Sequence, residues 1–198
     1  MHIPEDFAMR PGWIYEVVAT TLGERGFHAA PIGVWTRDGE TLMAELYKGS
    51  TTLANIARNG ILGVNLVSDP VLLHNALHRR DTLVFVTDNE MPGAETPFLR
   101  GADAWLELAP SLISGETASV HLHAKLTHWR QFAPVRLLNR AAGLLLESLV
   151  LSTRRHILPA EHIRDQLFEN ARVIMKVAPD SSYATAIAEL LTVCALSS

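Results

Sequence analysis

The stretch Tyr47-Lys48-Gly49-Ser50-Thr51-Thr52 constrains the fold most, because a strand pattern ends in it and a helix pattern begins in it. Thr41–Tyr47 is β-like, and Thr52–Asn59 has the apolar spacing of a short helix. The first N–H groups of a helix lack intrahelical partners and carry partial positive charge. Either Ser50 or Thr51 can be the N-cap, and the lysine adds a full charge. Two interpretations stay open: a cradle for one phosphate, or a capped helix that needs no ligand.

Two strand patterns precede this stretch. Gly12–Thr21 is rich in aromatic and β-branched residues, which favour strands. His28–Arg37 resumes the pattern around Pro31, which indicates an edge or a bulge because proline has no N–H to donate. The Asp38-Gly39 pair predicts a hairpin to the next strand. The N-terminal part of the chain is therefore predicted to be an antiparallel meander.

Further strand and helix patterns follow the stretch. Asp69 and Pro70 are typical of an N-cap and a first helical residue, so a helix is predicted to run to about His78. A count of six or seven strands suits a small barrel, since closure removes the exposed edges of a sheet. The remaining predicted strands are Ile61–Val67, Thr82–Thr87, Ala102–Leu108 and Ser119–Trp129, with a long loop over Asp88–Gly101.

The pattern changes to helices after Pro134. Three helices are predicted, over 136–154, 159–176 and 182–196. The third is apolar on most sides and needs cover from the barrel, from its neighbours or from a second subunit. The predicted fold class is α+β, with a mostly antiparallel β-barrel domain at 1–133 and a helical region at 134–198 that packs on the barrel or on a dimer partner.

Composition and charge exclude several function classes. The net charge is −4 and no block of like charge occurs, which argues against a nucleic-acid surface. The single cysteine, Cys194, permits no internal disulfide, fits a reducing compartment, and is predicted to have a packing role. The polar N-terminus is not a signal peptide, and no apolar run reaches the roughly 18 residues of a membrane span. We therefore predict a cytoplasmic protein that does not bind a membrane.

The histidines are the main candidates for other chemistry. His74 and His78 have helical spacing, and His121 and His123 share a strand face. Zinc sites use such spacings but add matched carboxylate or thiolate ligands, which this sequence lacks, so we predict no metal. His121 and His123 are either solvated or near a ligand, where one of them would be a proton donor. No nucleophile motif occurs, and catalytic residues stay unassigned.

Three motifs in order carry a family resemblance. They are Ala30-Pro31-Ile32-Gly33, Lys48-Gly49-Ser50-Thr51-Thr52, and Val64-Asn65-Leu66-Val67-Ser68-Asp69-Pro70. Their order and spacing resemble the flavin-reductase-like FMN-binding split-barrel superfamily. Within it, the chain is similar to a little-characterised family of archaea and some bacteria, which has an Ala-Pro-x-Gly strand and a Lys/Arg-Gly-Ser-x-Thr turn.

The resemblance implies a split barrel, FMN as the cofactor, and a homodimer with FMN near the subunit interface. By the same resemblance, the FMN phosphate would be held by Lys48, Gly49, Ser50, Thr51 and Thr52. The isoalloxazine edge would lie along Ala30, Pro31, Ile32 and Gly33, with the N–H donors supplied by the neighbours of the proline. Asn55 and Asn65 would be weaker candidates for contacts to the phosphate side or the ribityl chain.

Three functions follow as hypotheses. The first is an FMN-dependent oxidoreductase that passes hydride from NAD(P)H through FMN to an unknown acceptor. The cofactor would then supply the chemistry, which explains why no acid–base pair stands out in the sequence. The second is a non-catalytic FMN-binding or flavin-sensing protein, and the third is a ligand-free interaction module.

Overall fold

The computed structural model of the chain describes residues 1–87, 93–113 and 118–196, without the side chains of residues 112, 113 and 193–196. Residues 88–92 of the predicted loop and the predicted packing of Cys194 lie outside this description. The chain divides into two compact units. One comprises Met1–Pro11 and Tyr15–Leu138, and the other comprises Gly12–Ile14 and Asn139–Ser198. The predicted domain division at 133/134 stays a prediction.

The first unit is a closed antiparallel barrel. Its strands are β1 (Tyr15–Gly23), β2 (Gly26–Thr36), β3 (Thr41–Tyr47), β4 (Leu62–Leu66), β7 (Ala104–Ile113) and β8 (Ser119–Gln131), and a separate hairpin contains β5 (Phe85–Val86) and β6 (Phe98–Leu99). The barrel order is β1-β2-β3-β8-β7-β4, with β4 closing on β1 and every neighbour antiparallel. The predicted barrel is confirmed.

Alternation along the strands fills the barrel interior. Leu42, Ala44 and Leu46 of β3 are buried and lie opposite Ala124, Leu122 and Val120 of β8. The residues between them on β8, His121 and His123, are exposed and half-buried respectively. The sequence alternation over 119–129 arises because one face of β8 is buried and the other is solvated.

Two short helices belong to the barrel unit: α1 (Thr51–Asn59) and α2 (Pro70–His78). The predicted C-terminus of α1 and the predicted N-terminus of α2 are both confirmed. Gly60 closes α1 with a left-handed φ of 71°, and its N–H donates to the Ile56 carbonyl. Asp69 caps α2 by accepting a hydrogen bond from Val71 N at 2.9 Å, and Pro70 is the first helical residue.

Several predicted boundaries in the barrel unit are wrong, three of them by enough to change an element. The strand predicted over Thr82–Thr87 is shorter, because Thr82 ends a 3-10 turn and only Phe85–Val86 form a strand. Its partner, Phe98–Leu99, lies inside the segment predicted to be a loop. β7 continues to Ile113 because β8 pairs with it beyond Leu108. β1 begins at Tyr15 rather than at Gly12.

The β2–β3 turn is held by one carboxylate. Asp38 Oδ1 accepts hydrogen bonds from Thr41 N at 2.8 Å and from Glu40 N at 2.9 Å. Thr36 Oγ1 adds a third bond at 3.2 Å. These bonds favour the charged carboxylate, with Thr41 N the largest cause, and lower the pKa of Asp38 to about 2.

The acid dependence of this turn follows from that pKa. The folded pKa of Asp38 lies below its ordinary value, so its stabilising effect is present above about pH 4 and is lost as the pH falls through about 2. A carboxyl-carbon NMR titration should place the Asp38 midpoint near 2, and Asp38→Asn should remove this part of the acid dependence of Tm. A midpoint near the ordinary value would show that the turn does not hold these bonds in solution.

The second unit contains three helices: α3 (Arg140–Ser152), α4 (Ala160–Val177) and α5 (Ser182–Leu196). Asn139 Oδ1 caps α3 through Ala141 N, and its Nδ2 donates to the carbonyls of Ile14 and Val177. The helix predicted from Arg136 therefore begins later, at this cap. The buried contacts of the unit come from one face of each helix; they include Ala141, Ile163, Leu167, Ile174 and Ile187. Among the described residues, no helix combines the length and the apolar character that crossing a bilayer requires.

Candidate functional site

The strand–turn–helix junction is built as predicted. β3 ends at Tyr47, and Ser50 is the N-cap of α1, its Oγ accepting a hydrogen bond from Leu53 N at 3.3 Å. Gly49 has a φ of +82°, which other residues adopt only with strain. Lys48 N donates to the Ala118 carbonyl at 2.9 Å and ties the turn to the start of β8. The turn thus aims the first N–H groups of α1 away from the strand, as an anion site requires.

A cavity of about 610 Å³ lies between α1 and the β1–β2 hairpin. That volume is within the range of small-molecule sites. One wall is a single helical face, made of Thr51, Ala54, Asn55 and Arg58, and the other wall is the hairpin segment Gly23–His28. Of the residues predicted to bind the phosphate, Thr51 and Asn55 line this cavity.

A chain of hydrogen bonds fixes the wall of the cavity. Asn55 is buried, and its Nδ2 donates to Thr21 Oγ1 at 3.0 Å. Arg58 Nη2 donates to Asn55 Oδ1 at 2.9 Å, and Arg58 Nη1 pairs with Glu24 Oε1 at 2.6 Å. The buried Asn55–Thr21 bond joins the helix to the end of β1, and the exposed Arg58–Glu24 pair reaches the hairpin turn at the surface.

The charge of the cavity is mostly positive. Arg25 and Arg58 contribute guanidinium groups, and Glu24 is the one carboxylate among the lining residues. The pKa of His28 is lowered by burial and, secondarily, by the charge of Arg80, so this imidazole is neutral at pH 7. A phosphate-bearing ligand is the natural complement of such a lining.

The residues predicted to contact the isoalloxazine ring, Ala30–Gly33, lie in the part of β2 that does not pair with β3. Arg80 Nε donates to the Ala29 carbonyl at 2.9 Å, so that carbonyl points away from the barrel partner. Backbone groups alternate sides along a strand, so those of Pro31 and Gly33 point the same way. The described pairing of β2 with β3 begins only at Val34. The edge interpretation of Pro31 is confirmed, and its missing N–H costs no ladder bond.

Asn65 is fully buried inside the barrel unit. Its Nδ2 donates to the Val18 carbonyl at 3.0 Å and to Thr20 Oγ1 at 3.2 Å, and its Oδ1 accepts from Leu99 N at 2.7 Å. The amide is satisfied by the protein itself. The predicted ribityl contact of Asn65 stays a prediction without support from this geometry.

The histidines singled out in the sequence lie elsewhere. His121 and His123 are on β8 opposite Glu45 and Met43, and neither lines the cavity. The rings of His74 and His78 are 5.3 Å apart on α2. Within the described residues, no group of three or more metal-ligating side chains occurs.

Arg25, His28 and Arg58 are among the cavity residues that the sequence motifs did not identify. A local signal existed for Arg58, because it shares the i, i+3, i+4, i+7 face of α1 with Thr51 and Asn55. Arg25 and His28 reach the helix only through the pairing of β1 with β2 and the packing of that hairpin, which no local pattern reports.

Comparison with known proteins gives one family match. The model described as protein of unknown function (DUF447) N-terminal domain matches residues 15–133. An FMN-bound DUF447 protein from Methanosarcina mazei is 22% identical, has a TM-score of 0.55, and aligns over 96% of this chain and 98% of its own.

Two further solved structures share the fold of the barrel unit. A candidate flavin reductase from Haemophilus somnus is 18% identical with a TM-score of 0.52, over 63% of this chain and 85% of its own. The NADH:FAD oxidoreductase of Streptomyces globisporus is 14% identical with a TM-score of 0.50, over 67% and 82%. At these identities the likeness concerns the split-barrel fold alone.

Proposed function

This chain belongs to the DUF447 family, and we propose that it is an FMN-binding flavoprotein and an oxidoreductase. Hydride would pass from NAD(P)H through FMN to a second substrate. A DUF447 protein of known structure, from Methanosarcina mazei, is FMN-bound, and two solved proteins of the same fold are named as a flavin reductase and an NADH:FAD oxidoreductase, which supports the proposal.

One observation carries it: the cavity beside α1 combines the first residue of the helix, Thr51 with its hydroxyl, with the guanidinium groups of Arg25 and Arg58, and its hairpin wall leads into the unpaired edge of β2. The helix start and Thr51 fit a phosphate, because N–H groups and the helix dipole favour an anion there. Lys48 stands in the same turn and adds charge. The lining hairpin continues along β2 toward Ala30–Gly33, where a planar ring could follow the strand edge.

The residues of this chain would bind and orient the cofactor. Gly33 N–H, and not the N–H of Ala30 or Ile32, faces the open edge and would donate to the ring, while the Pro31 carbonyl would accept. His28 lines the cavity as a neutral imidazole and would hold a hydrogen bond at the phosphate side. Bound FMN accepts a hydride and passes electrons on, a chemistry that the cofactor supplies.

The assembly belongs to the same proposal. We propose a homodimer in the cytoplasm, with residues 1–133 as the FMN-binding domain and 134–198 as a helical region that packs on the barrel or on the partner. Size-exclusion chromatography with light scattering tests the dimer directly.

Two measurements test the cofactor and the reaction in turn. The purified protein should be yellow, release about one FMN per chain, and lose its flavin absorbance when mixed anaerobically with NADH or NADPH. A colourless protein that does not take up added FMN would reject the cofactor. Bound FMN that neither nucleotide bleaches would instead favour the flavin-sensing alternative.

The phosphate contacts predict the effect of two substitutions. Lys48→Ala and Thr51→Ala should each weaken FMN binding by about 1–3 kcal/mol, the range for lost charge-assisted hydrogen bonds. Flavin-fluorescence titration measures the affinity. Lys125→Ala is the matched control, because this exposed lysine on β8 does not line the cavity. Unchanged affinity in both variants would contradict the phosphate assignment.

A further inference from the structure

We infer that Arg25 and Arg58 form a second phosphate subsite, so that the protein binds a flavin dinucleotide such as FAD as well as FMN. The inference rests on the proposed function, because it extends the same cavity. The phosphate at the α1 N-terminus would be the first of a pyrophosphate. The second would lie at the hairpin end of the cavity, and the adenosine beyond it.

The positions along α1 support this order. Arg58 Nη2 is bonded to Asn55 Oδ1, which places the guanidinium level with Asn55, four residues after Thr51. Four residues span about 6 Å along a helix. A second phosphate joined through one oxygen to a phosphate at the helix start lies partway along this distance, where the Arg58 guanidinium can donate to its oxygens. The isoalloxazine ring would lie in the direction away from the hairpin turn, since β2 leads from that turn through His28 toward Gly33.

The charge of the cavity exceeds what one phosphate needs. The turn before α1 already offers helix N–H groups and Lys48 to a single phosphate. Two further guanidinium groups, Arg25 and Arg58, lie at the opposite end, and Arg25 makes no ion pair within the described residues. A planar guanidinium binds phosphate oxygens in pairs, which suits the second phosphate.

The ion pair of Arg58 does not block this role. The Glu24 side chain is 82% exposed, and exposed pairs contribute little because water and salt screen them. An incoming phosphate can therefore displace Glu24. Arg58 stays in place when this happens, since the buried Asn55 amide still anchors it.

An aromatic ring at the same end fits the base of a dinucleotide. Phe27 lines the cavity, is 42% exposed, and packs at 5.6 Å against Phe85. A ring that is already held and partly exposed offers a stacking surface without ordering cost. With its phosphate at the start of α1 and its ring toward Gly33, FMN would leave this end of the cavity unfilled.

Titration of the cofactor-free full-length protein with FMN and with FAD tests the inference. Wild type should bind FAD at least as tightly as FMN. Arg58→Gln and Arg25→Gln should each raise the Kd for FAD about tenfold, as expected for a lost charged hydrogen bond, and change the Kd for FMN less than about twofold. Glu24→Gln should tighten FAD binding several-fold. Arg37→Gln, in the other hairpin, is the control for charge alone, and circular dichroism confirms folding.

Comparing FMN with FAD distinguishes failure of the second subsite from failure of the proposed function. Wild type that binds FMN but not FAD would overturn the second subsite and leave the proposed function standing. Equal losses for both flavins would show that the arginines hold the single phosphate of FMN, and no loss for either would remove them from the site. Wild type that binds neither flavin would reject the proposed function itself.

Discussion

Replacing Gly63 with alanine should lower the free energy of unfolding by about 4 kcal/mol, from overpacking together with disrupted buried hydrogen bonds. Gly63 lies in β4 between Thr20 of β1 and Glu107 of β7. A Cβ there would stand well inside the contact distance of Thr20 Oγ1, 2.8 Å from Thr96 Oγ1 and 3.1 Å from Trp105 Nε1. The constraint is space, since the residue has an ordinary φ.

The neighbours of Gly63 cannot move aside cheaply. Thr20 Oγ1 donates to the Pro97 carbonyl at 2.6 Å, and Thr96 Oγ1 donates to Glu107 Oε2 at 3.0 Å. Both hydroxyls are buried, so shifting either one leaves polar groups unsatisfied away from water. The alanine must therefore break these bonds or push the strands apart.

Denaturant unfolding by circular dichroism measures the loss. The matched control is Gly143→Ala in α3, where nothing lies within 4 Å of the added Cβ. That substitution should stabilise by about 0.5–1 kcal/mol, because glycine weakens a helix interior. In a Thr20→Ala background the cost of Gly63→Ala should shrink, and a cost that stays the same would show that the clash with Thr20 is not its main cause.

Local patterns predict the parts of this fold that have one buried face and one solvated face. β8 alternates because Val120, Leu122, Ala124 and Leu126 fill the barrel, and α2 begins after Asp69 because that side chain caps it. The end of β7 was missed because Pro110 and Ser111 do not look like a strand. Their place is determined by β8, which pairs with them.

The candidate site divides in the same way. The Ser50 cap and the turn before α1 follow from neighbouring residues, and they were predicted. Arg25 and Arg58 line the same cavity, although they are 33 residues apart in the chain, because the β1–β2 hairpin lies beside α1. Contacts of that kind depend on which strands pair, and the pattern of either segment alone does not contain them. The requirement for glycine at position 63 is equally invisible in the local sequence, because the side chains that would clash with a Cβ there come from β1 and from the segment around Thr96.

Asn65→Ala should lower the free energy of unfolding by about 3 kcal/mol, because three buried hydrogen bonds are lost and their partners stay unsatisfied. Its amide joins β4 to the Val18 carbonyl and Thr20 Oγ1 of β1 and to Leu99 N of β6. The matched control is Asn59→Ala, since that exposed amide donates only to the Leu22 carbonyl among the described residues, and its loss should cost under about 1 kcal/mol.

The same variant decides between the two roles of Asn65. If the amide only holds strands together, the folded fraction of Asn65→Ala at low temperature should bind FMN with the wild-type Kd. The resemblance to the split-barrel flavoproteins implied a contact to the phosphate side or the ribityl chain instead. That role would show as weakened FMN binding with little change in unfolding. An amide that is 0% exposed and already holds three partners within the barrel has no surface to offer a ligand, so we expect the loss in stability and an unchanged Kd.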